Sequence, residues 1–144
     1  MTTGRPWWSG TVVYQLIVRS YSDGNGDGIG DFKGLAARLP YLRWLGVKTL
    51  WLTPIYPSPL RDGGYDITDF KGIHPDLGDL ASFHRFLTAA HSQGMRVILD
   101  LVLNHTSDLH PWFQRARWAP KGSPERGVYV WSDDPKQYSD APVL

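Results

Sequence analysis

The chain contains no cysteine, which excludes a disulfide frame and a thiolate metal site. It has no excess of one charge: 15 Lys and Arg stand against 14 Asp and Glu. A near-neutral surface gives no general attraction to nucleic acid or to an anionic membrane, so neither is expected as a partner. No apolar run is long enough to span a bilayer. The opening MTTGRPWWSG lacks the apolar stretch of a secretory signal, and the cytoplasm is the expected compartment. An ordinary soluble domain remains, and 144 residues suffice to bury a real core.

Aromatic residues are plentiful, with seven Trp and seven Tyr. Many stand beside Gly, Pro and Asp in loop-like sequence. Such rings can stack on sugar-like ligands, although core packing is their commoner use.

Periodicity gives a repeating order. TVVYQLIV (residues 11–18) is rich in β-branched residues and predicts a buried strand. GLAARLPYLRWLG (34–46) then places Leu35, Leu39, Leu42 and Leu45 on one helical face, with Gly46 as a stop and Pro40 as a kink or a second start. VKTLWLTP (47–54) is the next strand. DLASFHRFLTAAHSQG (79–94) reads as a helix with Leu80, Phe83, Phe86, Leu87 and Ala90 on its apolar face. Asp79 lies near its start and Gly94 just past its end. MRVILDLVLNH (95–105) is a third strand. Apolar strands alternating with amphipathic helices predict an α/β fold with a parallel sheet. It is either a small open domain or the first part of a (β/α)₈ barrel. After Asn104 the pattern stops, and the remainder reads as an inserted, irregular region.

The stretch DGNGDGIGDFKG (23–34) nearly matches the helix-loop-helix calcium motif. With Asp23 at position 1, the spacing puts Asn25, Asp27 and Asp31 at 3, 5 and 9, and Gly28 at 6. Position 12 should be a bidentate Glu, but Gly34 stands there. The preceding VVYQLIVRS is strand-like rather than helical, and no second copy of the loop exists. A glycine-rich turn with solvated Asp residues is the plain alternative. A stand-alone calcium-binding or carbohydrate-binding module is the remote one.

Three polar clusters follow the three predicted strands: this loop, the stretch RDGGYDITDF, and the pair Asn104–His105. In a parallel α/β fold all three lie at the carboxyl ends of the strands, where active sites form. Taken singly, Asp62 reads as a turn former, Tyr65 as packing and His105 as a structural strand-end residue. Asp66 and Asp69 read as turn and capping groups.

DLVLNHTS (100–107) resembles the first signature region of glycoside hydrolase family 13, the α-amylase superfamily. VVYQLIVRSYSDGNGDGIGDFKG, GVKTLWLTPIYPSP and GYDITDF are similar to the flanking segments of its α-glucosidase and trehalose synthase branch. SPLRDGGYD, IHPDLG, HPWFQRAR and YVWSD look most like the trehalose synthase side of that branch. The resemblance runs from about Trp7 to Tyr138, with several motifs in the right order.

The resemblance implies the amino-terminal portion of a (β/α)₈ barrel over residues 1–105, followed by the start of a subdomain inserted after the third strand over 106–144. It implies retaining glucosyl transfer between maltose and trehalose, with hydrolysis by an α-glucosidase or oligo-1,6-glucosidase as the alternative. Maltose, trehalose or other α-glucosides would be the partners. Asp62 and Tyr65 match the loop that holds glucose beside the cleaved bond. The Asp62 carboxylate would accept from sugar hydroxyls, and the Tyr65 ring would lie on the apolar sugar face. His105 matches a histidine that donates to a sugar hydroxyl. Asp100 and Asn104 would support the site. Asp23, Asn25, Asp27 and Asp31, with the Ile29 carbonyl, would hold a structural Ca²⁺ or Mg²⁺. No organic cofactor is implied.

The resemblance also marks a gap. Retaining glycosidases need two carboxyl groups about 5 Å apart, one a nucleophile and one an acid/base. In this family they follow the fourth and fifth strands, and no segment here resembles either region. Both are expected beyond Leu144, so this chain alone is expected to be inactive. Three barrel strands would also leave open edges and an uncovered apolar sheet face.

Overall fold

The computed structural model describes residues 4–134, 136 and 137. Residues 138–144, the last part of the predicted inserted region, lie outside the described residues. The chain divides into two compact units, Met1–Ser107 and Asp108–Leu144.

The first unit alternates strands and helices in the predicted order: β1 (Val13–Leu16), α1 (Phe32–Trp44), β2 (Thr49–Leu52), α2 (Leu80–Ser92) and β3 (Arg96–Leu99). The strands form one parallel sheet in the order β1-β2-β3. Tyr14 is level with Leu50, and Leu50 with Val97. Every strand is shorter than its apolar run. The third stops at Leu99, and Leu101 and Leu103 are exposed by 69% and 79%. Only β2 is close to fully buried; β1 and β3 alternate, because an edge strand is packed mainly on the face its helices cover.

Helix α1 begins at Asp31, whose side chain accepts from the Gly34 N–H as a helix cap. Leu35, Leu39 and Leu42 are buried as expected, and Phe32 joins them. Leu45, expected on the same face, is exposed, since it lies past the last turn. The helix runs through Pro40 rather than stopping there, with the proline on its exposed side. Burial of Leu39 and Leu42 on either side holds that turn against the lost hydrogen bond.

Helix α2 starts with a reciprocal cap: Asp79 accepts from the Ser82 N–H, and the Ser82 hydroxyl oxygen accepts from the Asp79 N–H. Phe86 and Ala90 are buried, and Phe83 packs edge-on to Phe32. Leu80, the first residue of the helix, is exposed, contrary to the expected apolar face.

The second unit is not only irregular. It contains α3 (Pro111–Trp118), which the sequence reading missed. His110 caps it by accepting from the Trp112 N–H, and Pro111 occupies the first turn, where a missing N–H costs nothing. Phe113, Tyr129 and Trp131 cluster around this helix. Arg126 lies over the Trp131 ring and donates to the carbonyls of Ala116 and Arg117 at the helix end.

Candidate active-site rim

The loop after β1 is built from local bonds. Asp23 accepts from the N–H groups of Asn25, Gly26 and Gly28 at 3.0, 2.7 and 2.8 Å. Asn25 accepts from the Asp27 N–H, and Asp27 accepts from the Ile29 N–H and from the Asn25 amide. Backbone N–H groups, led by those of Gly26 and Gly28, hold the Asp23 carboxyl below its usual range. Asp31 stands apart. It is 4% exposed and accepts from Gly34 at one oxygen and Gly24 at the other.

Gly34 explains the missing Glu. It lies in the first turn of α1, against the backbone of residues 22–24. A Cβ there would collide with the Ser22 carbonyl oxygen. No side chain fits at the position where a helix-loop-helix site needs its bidentate ligand.

Asp23, Asn25 and Asp27 carry the oxygen chemistry a hard cation takes, and in this structure those oxygens accept from N–H groups of the loop itself. Among the described residues no group of three or more His, Cys, Asp or Glu is placed to hold a metal. A cation here would rest on Asp23, Asn25, Asp27, the Ile29 carbonyl and water, with Asp31 committed to its helix cap.

The loop after β2 is anchored from afar. Its local closure is Asp66, which accepts from the Ser58 hydroxyl and the Arg61 N–H. Burial pushes this carboxyl up, but those two hydrogen bonds, joined by the backbone N–H groups of Asp66 and Asp62, outweigh it and leave the group below its usual range. Asp69 accepts from the Lys71 N–H, a turn role as expected. Leu60 takes a positive φ of 60°, and Gly63 and Gly64 follow with 58° and 103°. This tight backbone turns the chain so that Tyr65 N–H bonds the Asp62 carbonyl at 2.9 Å. Asp62 itself is exposed and lies close enough to raise the Tyr65 phenol.

Asp100, the first residue after β3, is the hub. One oxygen accepts from the Tyr65 hydroxyl at 2.8 Å and the other from the Trp51 indole N–H at 2.6 Å. The Tyr56 hydroxyl donates to its backbone carbonyl at 3.2 Å. The hydrogen bond to Asp100, then burial, raises the Tyr65 phenol above its usual range. Tyr65 is also held at its backbone, where its carbonyl accepts from His105 Nε2 at 3.1 Å. A carbonyl only accepts, so Nε2 carries the proton and Nδ1 accepts from the Asn104 amide at 2.7 Å.

The structure thus brings Tyr65, His105, Asp100 and Asn104 into one network, with Asp62 one tight turn away. His105 has both ring nitrogens engaged, one of them on Tyr65 itself. Two members were missed by the sequence reading, Trp51 and Tyr56. The signal for Trp51 was available: an indole N–H in a largely buried strand needs an acceptor.

The alpha amylase catalytic domain model matches residues 15–143. The chain belongs to the α-amylase family. It is 54% identical to a trehalose synthase of Pimelobacter sp. over 138 residues, covering 96% of this chain and 24% of that protein. It is 48% identical to an oligo-1,6-glucosidase of Parageobacillus thermoglucosidasius, covering 88% of this chain and 22% of the relative. The crystal structure of the trehalulose synthase MutB from Pseudomonas mesoacidophila superposes with a TM-score of 0.86 at 45% identity, over 93% of this chain and 24% of that one. The chain therefore spans about a quarter of the length of these relatives. Its parallel sheet and covering helices are part of the (β/α)₈ barrel of this family. Among the described residues no helix is long and apolar enough to cross a membrane.

Proposed function

We propose that this chain supplies part of the glucose-binding subsite of an enzyme that interconverts maltose and trehalose by retaining glucosyl transfer. The observation that carries the reading is the double hold on Tyr65: hydroxyl on Asp100, carbonyl under His105. A ring fixed at both ends is preorganised to take the apolar face of a sugar. The exposed Asp62 carboxylate beside it would accept from sugar hydroxyls. His105 would reach a sugar hydroxyl by exchanging the Tyr65 carbonyl for it. The nucleophile and acid/base belong to parts of the enzyme outside these 144 residues, and the cytoplasm is its place of work.

Identity supports the transferase side, with 49–54% to trehalose synthases against 46–48% to glucosidases. Variants of one relative, MutB, are complexed with glucose and with sucrose in crystals, which supports α-glucosides as the substrate class. In the intact enzyme, Asp62→Ala and His105→Ala should cut turnover of maltose by 100-fold or more, on the order of 3 kcal/mol of transition-state binding. Circular dichroism should be unchanged. Near-wild-type kinetics in either variant would remove that residue from the site.

The loop at 23–31 is proposed to hold a structural Ca²⁺ or Mg²⁺ through Asp23, Asn25, Asp27 and the Ile29 carbonyl. When bound, the ion would stiffen the rim. Ca²⁺ should raise the melting temperature of the intact enzyme, and Asp27→Ala should abolish the rise. No shift with the wild type would leave only a hydrogen-bonded turn.

A further inference from the structure

We propose that Trp51 is a positioning residue for the sugar subsite, acting through Asp100 on Tyr65; this rests on the subsite reading above. The indole N–H is a donor and nothing else. It approaches Asp100 Oδ1 at 2.6 Å from the neighbouring strand. The opposite oxygen is thereby turned to the Tyr65 hydroxyl at 2.8 Å. A carboxylate on a free rotor would meet Tyr65 in several orientations. One fixed by a donor-only partner on a sheet strand, with its backbone carbonyl held by Tyr56, meets it in one. Trp51 touches no sugar in this arrangement. Its effect on the ligand passes entirely through the Tyr65 ring.

The chemistry distinguishes this role from packing. Replacing Trp51 by Phe keeps a ring in the strand and deletes only the donor. Tyr65→Phe deletes the other bond to the same carboxylate. The two losses act through one group, so they should not add.

The test is steady-state kinetics on the intact enzyme with maltose. Trp51→Phe should raise KM five- to twentyfold with kcat within twofold of wild type. The Trp51→Phe/Tyr65→Phe double variant should be no worse than the poorer single one. An unchanged KM in Trp51→Phe, with a raised KM in Tyr65→Ala, overturns the role of Trp51 and leaves the subsite standing. An unchanged KM in both overturns the subsite reading, and this proposal with it. Fully additive losses also overturn it. Should Trp51→Phe yield no folded enzyme, Asp100→Asn and Asp100→Leu decide. An Asn orientated by the donor-only indole presents its amide to Tyr65, whose hydroxyl can reverse and accept. KM should then stay within threefold of wild type for Asn and rise at least fivefold for Leu. Equal losses in both contradict the proposal.

Discussion

The loops after β1 and β2 share a composition, Asp and Gly in quick succession, yet they are held in opposite ways. In the first, the bonds of the side chains at 23–31 span two to seven residues, and the longer ties, Arg19 to Asp76 and Arg38 to Ser22, lie before Asp23. In the second, the bonds that fix Tyr65 reach 35 residues to Asp100 and 40 to His105, and the Trp51 bond to Asp100 spans 49. A loop closed on itself keeps its shape wherever it is placed. A loop fastened to the far end of the next strand has its shape only when the sheet is formed. The first kind suits a staple, and the second suits a ligand site whose geometry the whole fold must guarantee.

The contrast can be attacked at the hub. Asp100→Ala removes the acceptor for both Trp51 and Tyr65 and leaves two partly buried donors without a partner. A stability loss of about 2–4 kcal/mol is expected in the intact enzyme, measured by urea denaturation, together with weakened glucose binding. A loss confined to stability, with glucose affinity unchanged, would detach the hub from the subsite.

The next effect comes from Gly34. Gly34→Ala drives a methyl group into the Ser22 carbonyl, and overpacking of this kind costs about 1–3 kcal/mol. Thermal melting should show the loss, and Ca²⁺ should protect the variant less than the wild type. An unaffected melting temperature would mean that residues 22–24 can withdraw from α1.

The smallest effects lie at the two ends of the pH range, and they have opposite signs. The Asp23 carboxyl is lowered in the folded chain by backbone N–H groups. Its contribution is therefore complete above the ordinary Asp value of about 4 and fades as pH falls through the lower folded value. The Tyr65 phenol is raised by its bond to Asp100. Its contribution is complete below the ordinary Tyr value of about 10 and fades as pH rises through the higher folded value. Acid should loosen the first loop and alkali the second, each read from amide signals in its own segment.

Much of the fold was legible because the first unit obeys simple periodicity. Leu35, Leu39 and Leu42 repeat at helical spacing, and Asp79 and Gly94 punctuate α2. The misses have physical causes. Leu45 and Leu80 fit the pattern but sit at helix ends, where they are exposed. The apolar run at 95–105 continues past the last ladder bond, so hydrophobicity alone overstated β3. Helix α3 was hidden because its cap is a histidine and its partners are aromatic rings and an arginine rather than leucines. At the candidate site, Tyr65, Asp100 and His105 were singled out through resemblance. The hub was not, because Trp51 and Tyr56 stand in apolar sequence and their polar atoms meet Asp100 only in three dimensions. Gly34 stood out as a missing ligand, and its steric reason appears only where the loop meets α1.

Hydrogen exchange on the intact enzyme tests the central contrast most directly. Wild type and Asp100→Ala would be compared in peptides covering residues 23–31 and 58–66. The expected result is faster exchange in 58–66 on loss of Asp100, with 23–31 unchanged. Equal acceleration in both, or none in 58–66, would contradict the claim that the first loop holds itself while the second is held by the hub.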